Sequence, residues 1–163
     1  MVIQRWLAAV IIIAVVAVGA GAGCIYYQDV SAIRDVEVTI TDASLPSSFV
    51  SEILFNASLT VTMQIQLDNT AGRDISGMIV DFDVSVGNIR VGDGGFSGVD
   101  VPAHGTTIKT MTVTLRLVDV TTGLLNAIKQ KSFTITLDGQ VSGDVLFGLT
   151  SFHQPFTASY AFP

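Results

Sequence analysis

Few side chains in this sequence have the chemistry to make or break bonds. Among 163 residues there are two histidines and one cysteine. His104 lies in "VPAHGTT" and His153 in "SFHQPF". An imidazole working as a general base needs a nucleophile or an orienting carboxylate held against it. Neither histidine is accompanied by a GxSxG elbow, an HExxH helix or a neighbouring imidazole. Pro102 fixes φ and Gly105 permits a positive φ, so the segment reads as a turn carrying His104 on its surface. Asp81 and Asp83 are two apart and share one strand face, with Asp93 and Asp100 in the glycine-rich stretch that follows. Oxygens so placed could serve calcium, which takes roughly six to eight of them, yet no EF-hand spacing is present. "GDGG" at 92–95 lacks the GK[ST] ending and the following helix that a phosphate loop needs. The expectation is therefore no catalytic residue, no metal, no cofactor and no enzymatic activity.

Two positions invite covalent modification. Cys24 closes "GAGC", where small residues precede a cysteine as in a lipobox, with Gly21 where a leucine-like residue is usual. Asn56-Ala57-Ser58 is a glycosylation sequon, meaningful in a domain exported by a glycosylating cell. A single cysteine forbids an intramolecular disulfide and any cysteine-based metal site.

The elements that must position these residues fall into two parts. From Trp6 to Gln28 there is no charged residue. At about 1.5 Å per residue a helix of that length can cross a hydrocarbon core of about 30 Å. Trp6 at one end and Tyr26 and Tyr27 at the other suit the two interfaces. Residues 1–30 thus read as a transmembrane anchor touching lipid through residues 6–27, and 31–163 as the domain it carries, joined by a short link near Ser31 to Asp35. Cleavage and lipidation at Cys24 is the alternative. Arg5 before the span, against Asp29, Asp35 and Glu37 after it, places the N-terminus in the cytoplasm and the domain outside a single-pass cell membrane. Beyond Gln28 stand 14 acidic and seven basic residues, which disfavours nucleic acid or anionic lipid as a partner. The sequence leaves the oligomeric state open.

The domain alternates. Val36, Val38 and Ile40 share a face, as do Leu59, Val61, Met63, Ile65 and Leu67. Met78, Val80, Phe82, Val84 and Val86 form another such set, followed by Met111, Val113, Leu115 and Leu117. Phe133, Ile135 and Leu137 continue the pattern, and Phe156, Ala158, Tyr160 and Phe162 end it. Period two with threonine and serine opposite marks half-buried antiparallel strands. "DNTAGRD", "VGNIRVGDGG", "VPAHG" and "DGQVSGD" read as the joins. "DVTTGLLNAIKQK" reads as the one short helix, capped by Asp119 or Thr121, with Leu124, Leu125 and Ile128 inward and lysines at its end. About seven strands in this length predict an all-β fold of two packed sheets.

The succession "LTVTMQIQLDNTAGRDI", "GMIVDFDVSVGNIRVGDGG", "VDVPAHGTTIKTMTVTLRL", helix and "FTITLDGQV" resembles the late-embryogenesis-abundant (LEA) type 2 family. That family is also known as the water-stress and hypersensitive-response (WHy) domain. The resemblance spans Val36 to Phe162. Where the family carries Asn-Pro, this chain has Asp68-Asn69-Thr70, keeping the asparagine and losing the proline. The resemblance implies an immunoglobulin/fibronectin-III-like β-sandwich with one helix, a non-enzymatic role in desiccation or other stress, and frequent membrane anchoring. A structural subunit of a cell-envelope or membrane assembly is the rival reading, since the small residues from Gly19 to Gly23 permit close helix packing.

Overall fold

The structure is a computed structural model that describes residues 2–117, 122–130 and 132–162, with side chains described from Ala14 onward and, in the last helix, from Leu125. It begins with helix α1, Val2–Arg34. Strand β1 is Val36–Ser44, so only Asp35 separates helix from sheet. The link expected near Ser31 to Asp35 is instead the last turn of α1, with the Asp35 amide donating to the Ser31 carbonyl at 3.0 Å. Among the described residues no helix is long and apolar enough to cross a membrane. The side chains at 6–13 of the expected span, Trp6 included, lie outside those described.

Helix α2 (Phe49–Asn56) leads to β2 (Ser58–Asn69), β3 (Ile75–Val86), β4 (Ile89–Val101) and β5 (Gly105–Arg116). Helix α3 (Thr122–Lys129), β6 (Thr134–Val145) and β7 (Thr150–Ala161) complete the chain. One sheet has the order β1-β2-β5 and the other β4-β3-β6-β7, with every paired strand antiparallel. The two-sheet all-β expectation stands. The inward sets from Val36, Leu59, Met78 and Phe133 are buried as expected, while Met111, Phe156 and Tyr160 are only half-buried at the margins. Phe133 stacks on Phe162 with ring centroids 4.4 Å apart, closing one end of the core.

Four expectations need correction. "VGNIRVGDGG" is not a loop: only Gly87 and Asn88 turn, with Gly87 at φ +60°, and β4 runs straight through Asp93 and Asp100. Its glycines make room for a ring. Phe82 is paired with Gly94 on one side and Gly139 on the other, and a Cβ on Gly94 would stand 2.9 Å from the Phe82 ring. "DGQVSGD" likewise lies inside β6, and the true turn is 146–149. The short helix expected after β5 is present as α3 with Ile128 fully buried, but α2 is a second one. Its expected caps, Asp119 and Thr121, and the inward Leu124 lie outside the described residues and side chains. Lastly, the positive φ of the Pro102 turn falls on His104 (+51°), not Gly105.

Candidate functional site

Because every strand reverses the one before, odd-numbered strands start at the end where α1 enters and even-numbered strands finish there. The segments 70–74, 102–104 and 146–149 therefore gather around the last turns of α1. Asp29 is the hub. Its Oδ1 lies 2.7 Å from Arg73 Nε, and its Oδ2 accepts the Leu146 amide at 2.9 Å. Arg73 Nη1 also donates to Gln28 Oε1 at 3.2 Å. One residue-turn on, Ala32 and Ile33 are buried in the sandwich, and Gly143 leaves space for Ile33, since a Cβ there would stand 2.9 Å from its Cδ1.

Beside this hub Asn69 is 2% exposed. Its Nδ2 donates to the carbonyls of Arg73 (2.8 Å) and Pro102 (3.1 Å), with a longer approach to Val101 (3.4 Å). Its Oδ1 accepts the Ala71 amide at 3.0 Å. The His104 amide donates to the Ala71 carbonyl at 3.0 Å and the Ala103 amide to Asp74 Oδ1 at 2.7 Å, so two direct bonds join the 70–74 and 102–104 loops besides the Asn69 bridge. The asparagine needs no following proline to hold this corner. Next to it the Asp68 carboxylate accepts from the hydroxyl of Thr106 and from Gln66 Nε2, and these bonds hold its pKa below the usual carboxylate value, Thr106 contributing most. At the other end of the molecule Glu52 is lowered too, first by the Thr60 amide, which donates to its Oε2 at 3.0 Å.

The outer face of the four-stranded sheet carries the carboxylates. Register sets Asp93, Asp83 and Asp138 side by side on β4, β3 and β6. With Asp81 and Gln140 they line a shallow depression of about 680 Å³. Like charges directly opposed across strands repel. Arg90 offsets this, its Nη2 standing 2.6 Å from Asp83 Oδ1 and 4.0 Å from Asp93 Oδ1. Asp138 accepts from the Thr157 hydroxyl at 2.7 Å. Of the carboxylates singled out in the sequence, three meet here. Asp100 does not: its Oδ1 accepts the Gly77 amide at 2.9 Å. Asp138 joins the row unforeseen, because only strand register brings it there. Among the described residues no three His, Cys, Asp or Glu side chains are grouped to hold a metal ion.

His104 is exposed, its Nε2 facing Gly72, and His153 is exposed on β7 opposite Ser142. Cys24 is exposed on α1, which runs unbroken through it. Asn56 is exposed at the last position of α2, just before Ala57 turns left-handed (φ +47°).

No family model matches this chain, and no curated protein matches it in sequence. Solved structures do. The solution structure of AT1g01470 from Arabidopsis thaliana superposes with a TM-score of 0.55 at 14% identity, covering 76% of this chain and 78% of that one. The solution structure of At2g46140.1, a candidate late embryogenesis abundant (LEA) protein, gives 0.50 at 12% identity, covering 88% and 80%. The likeness is one of fold. It extends over the sandwich and agrees with the arrangement of strands expected from the sequence.

Proposed function

We propose that this chain is a membrane-tethered, non-enzymatic domain of LEA type 2 character, acting in stress protection or binding outside the membrane. The observation that carries the tether is the surface of α1. From Ala14 to Cys24 every described side chain is exposed, including Val15 (66%), Val16 (64%) and Val18 (73%). A helix apolar on all faces needs an apolar surrounding. The sandwich covers only its last turns, and lipid is the medium suited to the rest. The uncharged run that continues back to Trp6 supports this. The stress role draws on the sequence resemblance and on the fold shared with At2g46140.1. The non-enzymatic reading draws on the separate, solvent-facing positions of His104 and His153.

The test has two parts. Alkaline washing of native membranes should leave the full chain in the pellet, and recovery in the wash would refute the tether. A host lacking the gene should survive drying less well than its parent, and equal survival would refute the stress role. The reading as a subunit of an envelope assembly is favoured by α2, where Leu54 and Phe55 are exposed. Cross-linking in native membranes that captures a constant partner through α2 would favour that reading. Anchoring as a lipoprotein through Cys24 would show as an intact mass lacking residues 1–23 and bearing acyl chains.

A further inference from the structure

The turn between β6 and β7 is apolar and faces outward. Its sequence is Leu146-Phe147-Gly148-Leu149, with Phe147 82% and Leu149 83% exposed. Three successive residues there have positive φ: Leu146 (+53°), Phe147 (+58°) and Gly148 (+82°). Two of them are bulky L-residues in a conformation that favours glycine. A turn chosen for stability alone would carry glycine, asparagine or aspartate at such places and would not present phenylalanine and leucine to water. The location explains the choice. The Leu146 amide is bonded to Asp29, the first charged residue after the apolar run of α1. Tyr26 and Tyr27, both exposed, lie within the preceding turn of that helix. After Asp144 the chain contains no Asp, Glu, Lys or Arg at all.

We infer that the 146–149 turn is a second membrane contact, inserting Phe147 and Leu149 into the interface beside α1 and seating the sandwich directly on the lipid. This rests on the tethering reading above. The occupant is a neutral bilayer surface, because the domain's acidic excess opposes anionic lipid while the turn itself is uncharged. Aromatic and aliphatic side chains at the level of an interfacial tyrosine belt gain by leaving water. The salt bridge of Asp29 with Arg73 serves the same end, since paired charges close to lipid are less costly than single ones.

The test uses the full chain in phosphatidylcholine vesicles, with Cys24→Ser as background. Single cysteines are introduced by Val16→Cys, Leu149→Cys or Asn88→Cys and carry an environment-sensitive fluorophore. Two vesicle sets carry a spin label. One, labelled high on the acyl chain, quenches probes in the shallow zone of about 5–10 Å that interfacial side chains reach. The other, labelled at the chain end, quenches a probe at residue 16, which at about 1.5 Å per residue would lie near the bilayer centre. Circular dichroism confirms folding of each variant, and the exposure of 149 makes that substitution mild. The Leu149 probe should shift to the blue and be quenched several-fold more than the probe at Asn88, which sits on the far hairpin. A Val16 probe quenched while Leu149 stays as in water overturns this inference and leaves the tether standing. A Val16 probe unaffected by lipid overturns the tether itself. Equal quenching at Leu149 and Asn88 overturns the seating.

Discussion

Replacing Asn69 gives the sharpest account of what holds the helix-proximal end together. Its amide makes three good hydrogen bonds, to Arg73, Pro102 and Ala71, while the 3.4 Å approach to Val101 shares a hydrogen already used, because the NH₂ has only two. Asn69→Ala removes all three at a site 2% exposed. At about 1 kcal/mol net for each bond, the loss should be about 3 kcal/mol. With a urea slope of about 2 kcal/mol per molar, the unfolding midpoint falls by about 1.5 M. Asn69→Asp is a more searching change. It keeps an acceptor for the Ala71 amide but turns the donor toward Arg73 and Pro102 into a second anionic oxygen facing their carbonyls. At neutral pH it should therefore cost more than the alanine. That repulsion raises the aspartate's folded pKa, so protonation restores one donor and acidification should narrow its deficit relative to the parent chain. Urea titrations of the full chain in mild detergent, followed by the β-sheet circular dichroism signal at several pH values, decide it. An alanine variant within about 0.5 kcal/mol of the parent, the scatter of ordinary surface changes, would refute the reasoning. So would an aspartate variant no worse than alanine at neutral pH.

Three further outcomes are expected. Gly139→Ala places a Cβ 2.2 Å from the Asp81 carbonyl oxygen and 2.6 Å from the Phe82 Cβ, so β3 and β6 must separate; the cost should be at least about 2–3 kcal/mol, read as a lower thermal midpoint. Asp68 has a folded pKa below its unfolded one, so its stabilisation is complete above the unfolded value and vanishes as pH falls through the folded value. Stability should hold from neutral to about pH 5 and decline below about pH 4, and Thr106→Val should flatten that decline in a urea-midpoint-against-pH plot. Asp29→Ala leaves the Leu146 amide without its acceptor and Arg73, 38% exposed, with Gln28 alone, and this should cost about 1–2 kcal/mol, most of it from the amide. Hydrogen exchange at the Leu146 amide should rise with it, and unchanged protection there would contradict the role given to the hub.

What the sequence disclosed followed side-chain periodicity. Leu59 to Leu67 and Met78 to Val86 alternate without interruption, and both are buried on alternate residues through their whole length. Where glycine replaces the informative side chain the pattern goes silent. Gly92, Gly94, Gly95 and Gly98 made β4 look like a loop, and Gly139 and Gly143 did the same to the second half of β6. Helix α2 is only eight residues long and leaves Leu54 and Phe55 exposed beside the buried Ile53, so no helical stripe announced it. The site was harder still. Asp138 meets Asp83 only through register, and Asp29 meets Arg73 only because the chain returns to the same end of the sandwich. Asn69 did stand out, as the retained half of an Asn-Pro pair, but its partners are backbone carbonyls that carry no sequence signature.

The single residue between α1 and β1 leaves the sandwich no swivel. With Asp29, Ala32 and Ile33 gripping from one side, the two parts move as a lever on its handle. A strand of twelve residues at about 3.3 Å each reaches about 40 Å, so a ten-degree lean of the helix would swing the far hairpin at Asn88 sideways by about 7 Å. Under the tether proposed above, the thickness and curvature of a bilayer around α1 would set that lean and so become displacements at the opposite pole of the molecule.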